Sequence, residues 1–200
     1  MKRILEIGGL AAGVAMVAIG IVAIVMGFSG HSTVVDSIKL EKIVGSADMN
    51  PTDIRAGGKE AGLPETTNYP DCDVAGKPID SGERARCFAE YLRIHALEST
   101  GGKVYAEMGR FLKEDVTDTS NAEEAAKNPE TGRPVENGMR NLWITATSLS
   151  TALNTSYLAE QIALFGIVVG IALLLSGLGF MVLAWYTLGG ALMRRNSAGA

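Results

Sequence analysis

Histidine and cysteine are scarce, with two of each in 200 residues. Four such side chains, widely spread, cannot supply the ligand spacings of a zinc finger or a haem attachment site. No phosphate loop or dinucleotide fingerprint is present either. Proline is missing before Pro51 and after Pro134, so nothing interrupts a helix at either end of the chain. Charge is missing from residues 162–185. No segment alternates apolar and polar residues with period two over any length, which argues against a sheet. No metal, cofactor or enzymatic role is expected.

What is present is sharply segregated. All six prolines and most charges fall between residues 31 and 140. Residues 31–157 hold 14 lysines and arginines against 20 aspartates and glutamates, a net charge of −6. The tips carry Lys2, Arg3, Arg194 and Arg195. Basic tips beside two apolar runs place both termini in the cytoplasm and the acidic middle outside it, with the chain in the cytoplasmic membrane. The acidity of the middle also argues against nucleic acid as a partner, leaving the lipid bilayer as the first one expected.

The long stretch at residues 137–188 organises the rest. It opens polar, becomes wholly apolar and contains no proline. As one helix it would be roughly 75 Å long, more than twice the ~30 Å hydrocarbon core. It therefore reads as a stalk helix at 138–160 leading into a transmembrane helix at 161–188, then a tail at 189–200. The first apolar run, 4–28, is about 25 residues, too long for the 7–15-residue core of a secretory signal. No A-x-A-like cleavage site follows, so a retained transmembrane helix at 1–30 is expected. Glu6 lies close enough to Lys2, Arg3 or Arg194 to pair or snorkel.

Both apolar runs carry small residues on one face. At 100° per residue, Gly9, Gly13, Gly20 and Gly27 fall within roughly 40° of one another. Ala159, Gly166, Gly170, Gly177 and Ala184 share an equally narrow face. Each run has one GxxxG (Gly9 to Gly13, Gly166 to Gly170) and then continues at spacing seven. Small faces let backbones approach in lipid, and a spacing of seven suits a left-handed crossing. Two arrangements follow: an antiparallel hairpin, or contact of each face with another subunit. In the hairpin, Gly27 would lie near Ala159 or Gly166, and Gly9 near Ala184.

Between the runs, residues 31–137 read as a small, helical, loop-rich domain. The first helix is expected to continue to Ile43, followed by a short helix from Asn50-Pro51 to Ala61 and a loop at 62–81. The best soluble helix is 83–98, capped by Ser81 or Gly82, with a shorter helix at 103–112 and helical character at 121–127. Cys72 and Cys87, in an oxidising compartment, favour a disulfide; two buried free thiols are the alternative. A stripe of Leu142, Ala146, Leu149, Leu153 and Tyr157 on the stalk calls for a partner, either helix 83–98 or a neighbouring stalk. Trp143 and the Trp185-Tyr186 pair suit stalk packing and interface anchoring. Asp71-Cys-Asp73 opens like a calcium loop, but Ala75 and Gly82 break the EF-hand pattern, leaving only a looser site of Asp71, Asp73 and Asp80. The hydroxyls between Thr145 and Ser156 have no histidine near them in sequence and suit close helix packing.

The segment RCFAEYLRIHALESTGG at 86–102, with STALNTSY at 150–157, resembles a family of uncharacterised two-helix membrane proteins of actinobacteria. The likeness extends over most of the chain, including Ile43-Val-Gly-Ser46 and both cysteines. Members are often labelled aromatic ring-opening dioxygenase subunits. That chemistry needs a metal site, commonly two histidines and a carboxylate, and His31 and His95 sit in dissimilar settings. The resemblance thus implies a fold and no activity. The expectation is an all-α membrane protein with a structural or assembly role, forming a homo-oligomer or joining a larger envelope complex. The alternative is an extracytoplasmic sensor or ligand-binding module.

Overall fold

The computed structural model describes residues 2–197, and the side chains of residues 7–187. The expected pairing of Glu6 with Lys2, Arg3 or Arg194 lies outside the described side chains. The described residues form four α-helices: α1 (Lys2–Leu40), α2 (Pro51–Glu60), α3 (Gly82–Thr100) and α4 (Gly138–Ser197). Two short strands, β1 (Phe111–Leu112) and β2 (Asp118–Thr119), pair antiparallel. α1 and α4 are both long and apolar enough to cross a membrane. The chain divides into two compact units, Met1–Val34 with Ala159–Ala200, and Val35–Leu158.

In the first unit, α1 and α4 pack against one another and leave large apolar side chains uncovered on their other sides. Phe28 is 60% exposed, Phe165 67% and Trp185 78%. In water that much uncovered apolar surface would be strongly unfavourable.

The second unit is built from caps and a staple. Asn50 accepts hydrogen bonds from the backbone N–H groups of Thr52 and Asp53, and Pro51 takes the first helical position of α2. Ser81 caps α3 in the same way through the Arg84 N–H. Gly101, at φ +61°, ends α3 in the left-handed conformation, with its own N–H on the Glu98 carbonyl and that of Gly102 on Leu97. Ile54, Val74, Ile79, Tyr91 and Ile94 are its most deeply buried large side chains. Gly58 lets α2 pass the ring of Tyr69, where an added methyl would collide. Cys72 and Cys87 are joined across a sequence separation of 15. Buried Tyr91 donates to the Cys72 carbonyl at 2.5 Å, tying the loop to α3 a second time.

Four local expectations are corrected. α1 stops at Leu40, because Lys42 turns at φ +51° and sends Ile43 and Val44 into bridging contacts with Ile79 and Pro78. The helix expected at 103–112 shrinks to a single 3-10 turn, Tyr105–Glu107. Gly109 interrupts it, sitting so close to Thr119 that any side chain would meet that residue's backbone. Residues 121–127 form turns rather than a helix. Asn121 and Thr119 cap them locally, and the Ala126 N–H bonds to the Leu112 carbonyl. A small sheet does exist, extended by the bridge of Phe111 to Glu136. Its tip carries Val116 at φ +60°, an uncommon conformation for a β-branched residue.

Removing the staple should be costly. Cys72→Ser with Cys87→Ser is expected to cost about 3 kcal/mol for a loop of this length. Tyr91→Phe should cost about 1 kcal/mol. Thermal unfolding of the full chain in detergent, read by circular dichroism, checks both, and a staple-free variant melting like the wild type would refute the first.

Candidate functional site

The seam between α1 and α4 is a direct backbone contact. A methyl placed on Gly13 would lie 2.8 Å from the Gly177 carbonyl oxygen; on Gly20, 2.7 Å from that of Gly170; on Gly27, 2.8 Å from that of Ala163. The converse holds at Gly170, 2.8 Å from the Gly20 oxygen, and at Gly177, 2.7 Å from the Gly13 oxygen. Each step of seven along α1 is thus matched by a step of seven in the opposite direction along α4. Ala163 and Ala184 are buried on the same face of α4.

Not every residue of the expected small face belongs to the seam. A methyl on Gly9 would meet nothing within 4 Å, and one on Gly166 would only touch the Ala23 oxygen at 3.9 Å. The GxxxG pairs are therefore not the contact; the seven-residue repeat is. Gly27 faces Ala163 rather than Ala159 or Gly166, and Ala159 is half-buried beside the seam. Near the end of the seam His31 Nδ1 lies 3.2 Å from Glu160 Oε1, and the Glu160 side chain is only 8% exposed.

In the second unit the stripe on α4 is displaced by part of a turn. The buried or half-buried positions between residues 141 and 158 are Trp143, Ala146, Ser150, Leu153, Ser156 and Tyr157. Trp143 joins Ala96 and Met108 in one apolar cluster, with Ala146 against it. Ser150 donates to the Ala89 carbonyl of α3 at 3.4 Å. Leu142 and Leu149, expected in the stripe, are 43% and 39% exposed. The bulk and apolar surface of Trp143 win the inward position over Leu142. Leu142 instead lines an open groove of about 680 Å³ with Met108, Leu112, Val116 and Met139. Leu149 borders a recess of about 340 Å³ with Ile38, Ile43 and Leu153.

Three polar clusters complete the unit. Arg86 lies over the Tyr157 ring, 5.1 Å from its centroid, and pairs with Glu90 at 3.3 Å. Arg55 pairs with Asp71 at 2.7 Å and lies over Tyr69. Asp71 is thus engaged by Arg55, Asp73 accepts from the Ala75 N–H and pairs with Lys77, and Asp80 pairs with Arg84, so each carboxylate of the looser calcium site already has a cationic partner. No cluster of histidine, cysteine or carboxylate groups able to hold a metal exists among the described residues.

The third cluster was not legible as a site. The Ser46 hydroxyl, 2.5 Å from Asp48, holds that carboxyl below its usual range against partial burial, and His95, at 3.1 Å, lowers it further. On the next turn of α3, burial pushes Glu98 above the usual glutamate range; His95 opposes this and Asp48 adds to it. Its buried Oε1 has no hydrogen-bond partner among the described residues. The sequence signal was only the i, i+3 spacing of His95 and Glu98.

No protein-family model, no curated protein and no solved structure matches the chain.

Two outcomes follow from this geometry. Gly20→Leu or Gly170→Leu should open the seam and lower the melting temperature of the detergent-solubilised protein by several degrees, whereas Gly8→Leu and Gly9→Leu should leave it near wild type. Equal effects at all four positions would refute the seam. Glu98→Gln tests the unpaired carboxylate. A raised acid favours folding below its unfolded value and loses that contribution as pH rises through the folded one. The glutamine variant should therefore melt above wild type at pH 7, with the gap closing near pH 4; a gap independent of pH would contradict the assignment.

Proposed function

We propose that the chain is a non-enzymatic assembly protein of the cytoplasmic membrane, anchored by an antiparallel hairpin of α1 and α4, with both termini cytoplasmic and the disulfide-stapled unit outside. The feature that carries the assembly reading is the segment of α4 at residues 141–159. It contains no charged residue, yet Leu142, Ile144 and Leu149 are each about two-fifths exposed. A helix destined only for water carries charged or polar residues on its exposed face, and here that face is interrupted by large apolar side chains. Four of its hydroxyls, on Thr145, Thr151, Thr155 and Ser156, donate to carbonyls four residues back. Their polarity is thus satisfied within the helix, which suits contact with another protein. The glycines at spacing seven already meet within the chain, so lateral contacts with a second copy or a larger complex use the leucines instead. The resemblance to two-helix actinobacterial membrane proteins fits this reading and contributes no catalytic chemistry.

Topology and assembly are tested separately. Val116→Cys should react with a membrane-impermeant maleimide in intact cells, while a reporter fused after Ala200 should be active only in the cytoplasm; the reverse pattern would overturn the orientation. A photo-crosslinker at Leu142 or Leu149 should capture a second copy or a distinct membrane protein. A chain that is monomeric by native mass in bilayer mimetics, with no crosslinked product from either position, would rule the assembly role out.

A further inference from the structure

We infer that the cleft between α3 and the facing part of α4 binds a small organic monocarboxylate, held by Arg93. The cleft has a volume of about 240 Å³ and lies wholly within residues 35–158. Its floor is apolar: Ala89, Ala96, Ala146 and the edge of buried Trp143. Its rim is polar, with Glu90, Arg93, Thr147 and Asn154.

Three observations assign the chemistry. The first is the charge state of the rim. Glu90 is paired with Arg86, whereas Arg93 has no carboxylate within ion-pair distance among the described residues. Its guanidinium lies over the Trp143 ring, 5.5 Å from the centroid, so one face is occupied by the indole while the planar fork stays available. The second is the set of unused donors. Ser150 already donates to Ala89 and Thr151 to Thr147. The Asn154 amide and the Thr147 hydroxyl have no hydrogen-bond partner among the described residues. Residues 141–159 of α4 carry no charge, so nothing on that wall competes with an incoming anion for Arg93. The third is size and sign. One unpaired guanidinium matches one carboxylate in the bidentate geometry this pair prefers. A dianion such as phosphate would leave one of its charges unpaired, because the neighbouring cation, Arg86, is already engaged by Glu90. The alanine floor is a shallow apolar seat that leaves room for a short alkyl body and excludes a bulky one.

The site is concave, mostly apolar and carries a few convergent polar groups, the pattern of small-molecule sites, and its volume lies just below their usual range of roughly 300–1,000 Å³, which restricts it to a small ligand. It makes the exported unit a ligand-responsive one, which the assembly reading does not require.

Full-length protein in nanodiscs, titrated with butyrate and with butyramide and followed by saturation-transfer NMR and calorimetry, tests the inference. Butyrate should bind saturably, and butyramide, which has the same shape without the charge, roughly ten- to hundredfold more weakly. Arg93→Gln should lose butyrate affinity by the same factor, and Arg93→Lys should retain part of it. Ala146→Leu, which fills the floor and leaves Arg93 in place, should abolish binding while the circular dichroism spectrum is unchanged, a control that stands if Arg93 variants fold poorly. Absence of saturable butyrate binding, equal binding of butyramide, or wild-type affinity in a folded Arg93→Gln protein would each overturn the inference.

Discussion

Peptide carbonyls of one helix pressed against the Cα atoms of the other set the terms for the first unit. At Gly20 and Gly170 there is no room for a single carbon, and the same holds at Gly13, Gly27 and Gly177. Such proximity multiplies dispersion contacts along two helices whose other side chains there are mostly apolar. It also fixes register. Sliding either helix by one residue would drive a side chain into a backbone, so the packing tolerates shifts of a whole repeat and nothing less. Burial of Glu160 beside His31 adds a second restriction, since a carboxylate withdrawn from water is held where its partner is.

The second unit solves a different problem. It has few large buried side chains for its many loops, and covalent and polar ties take over from core volume. The disulfide, the Tyr91 hydroxyl on the Cys72 carbonyl and the double cap by Asn50 converge on the packing of α2 and α3. Stacking of Arg55, Arg86, Arg93 and Arg140 on aromatic rings extends the same strategy to the surface. The cost is visible at Glu98, a carboxylate oxygen left without a donor, and at Val116, a branched residue in a left-handed turn.

Long-range repetition was legible in the sequence; short-range competition was not. Two helices of unbroken apolar character, the glycine heptads and the Asn50-Pro51 and Ser81 starts all follow from residue type and spacing. The seam's choice of Ala163 over Gly166 depends on an axial offset of a few ångströms, which no wheel diagram contains. Leu142 and Trp143 are adjacent, so either could lead the inward stripe. Only the space beside Ala96 and Met108 decides between them. The stretch 103–112 looked helical because Tyr105, Met108 and Phe111 recur at helical spacing. Bonds to distant partners at Val135 and Glu136 outweighed that local preference. The Arg93 cleft was hidden for the same reason, since its two walls are some fifty residues apart in the chain.

The bond between Cys72 and Cys87 has one more effect, on cleavage. It brackets the end of the long loop and the first turn of α3, a span that includes the exposed Asp73, Gly76 and Pro78. A protease cutting anywhere inside that bracket would leave two fragments still fastened together. The nicked protein would migrate as an intact chain until a thiol released the halves.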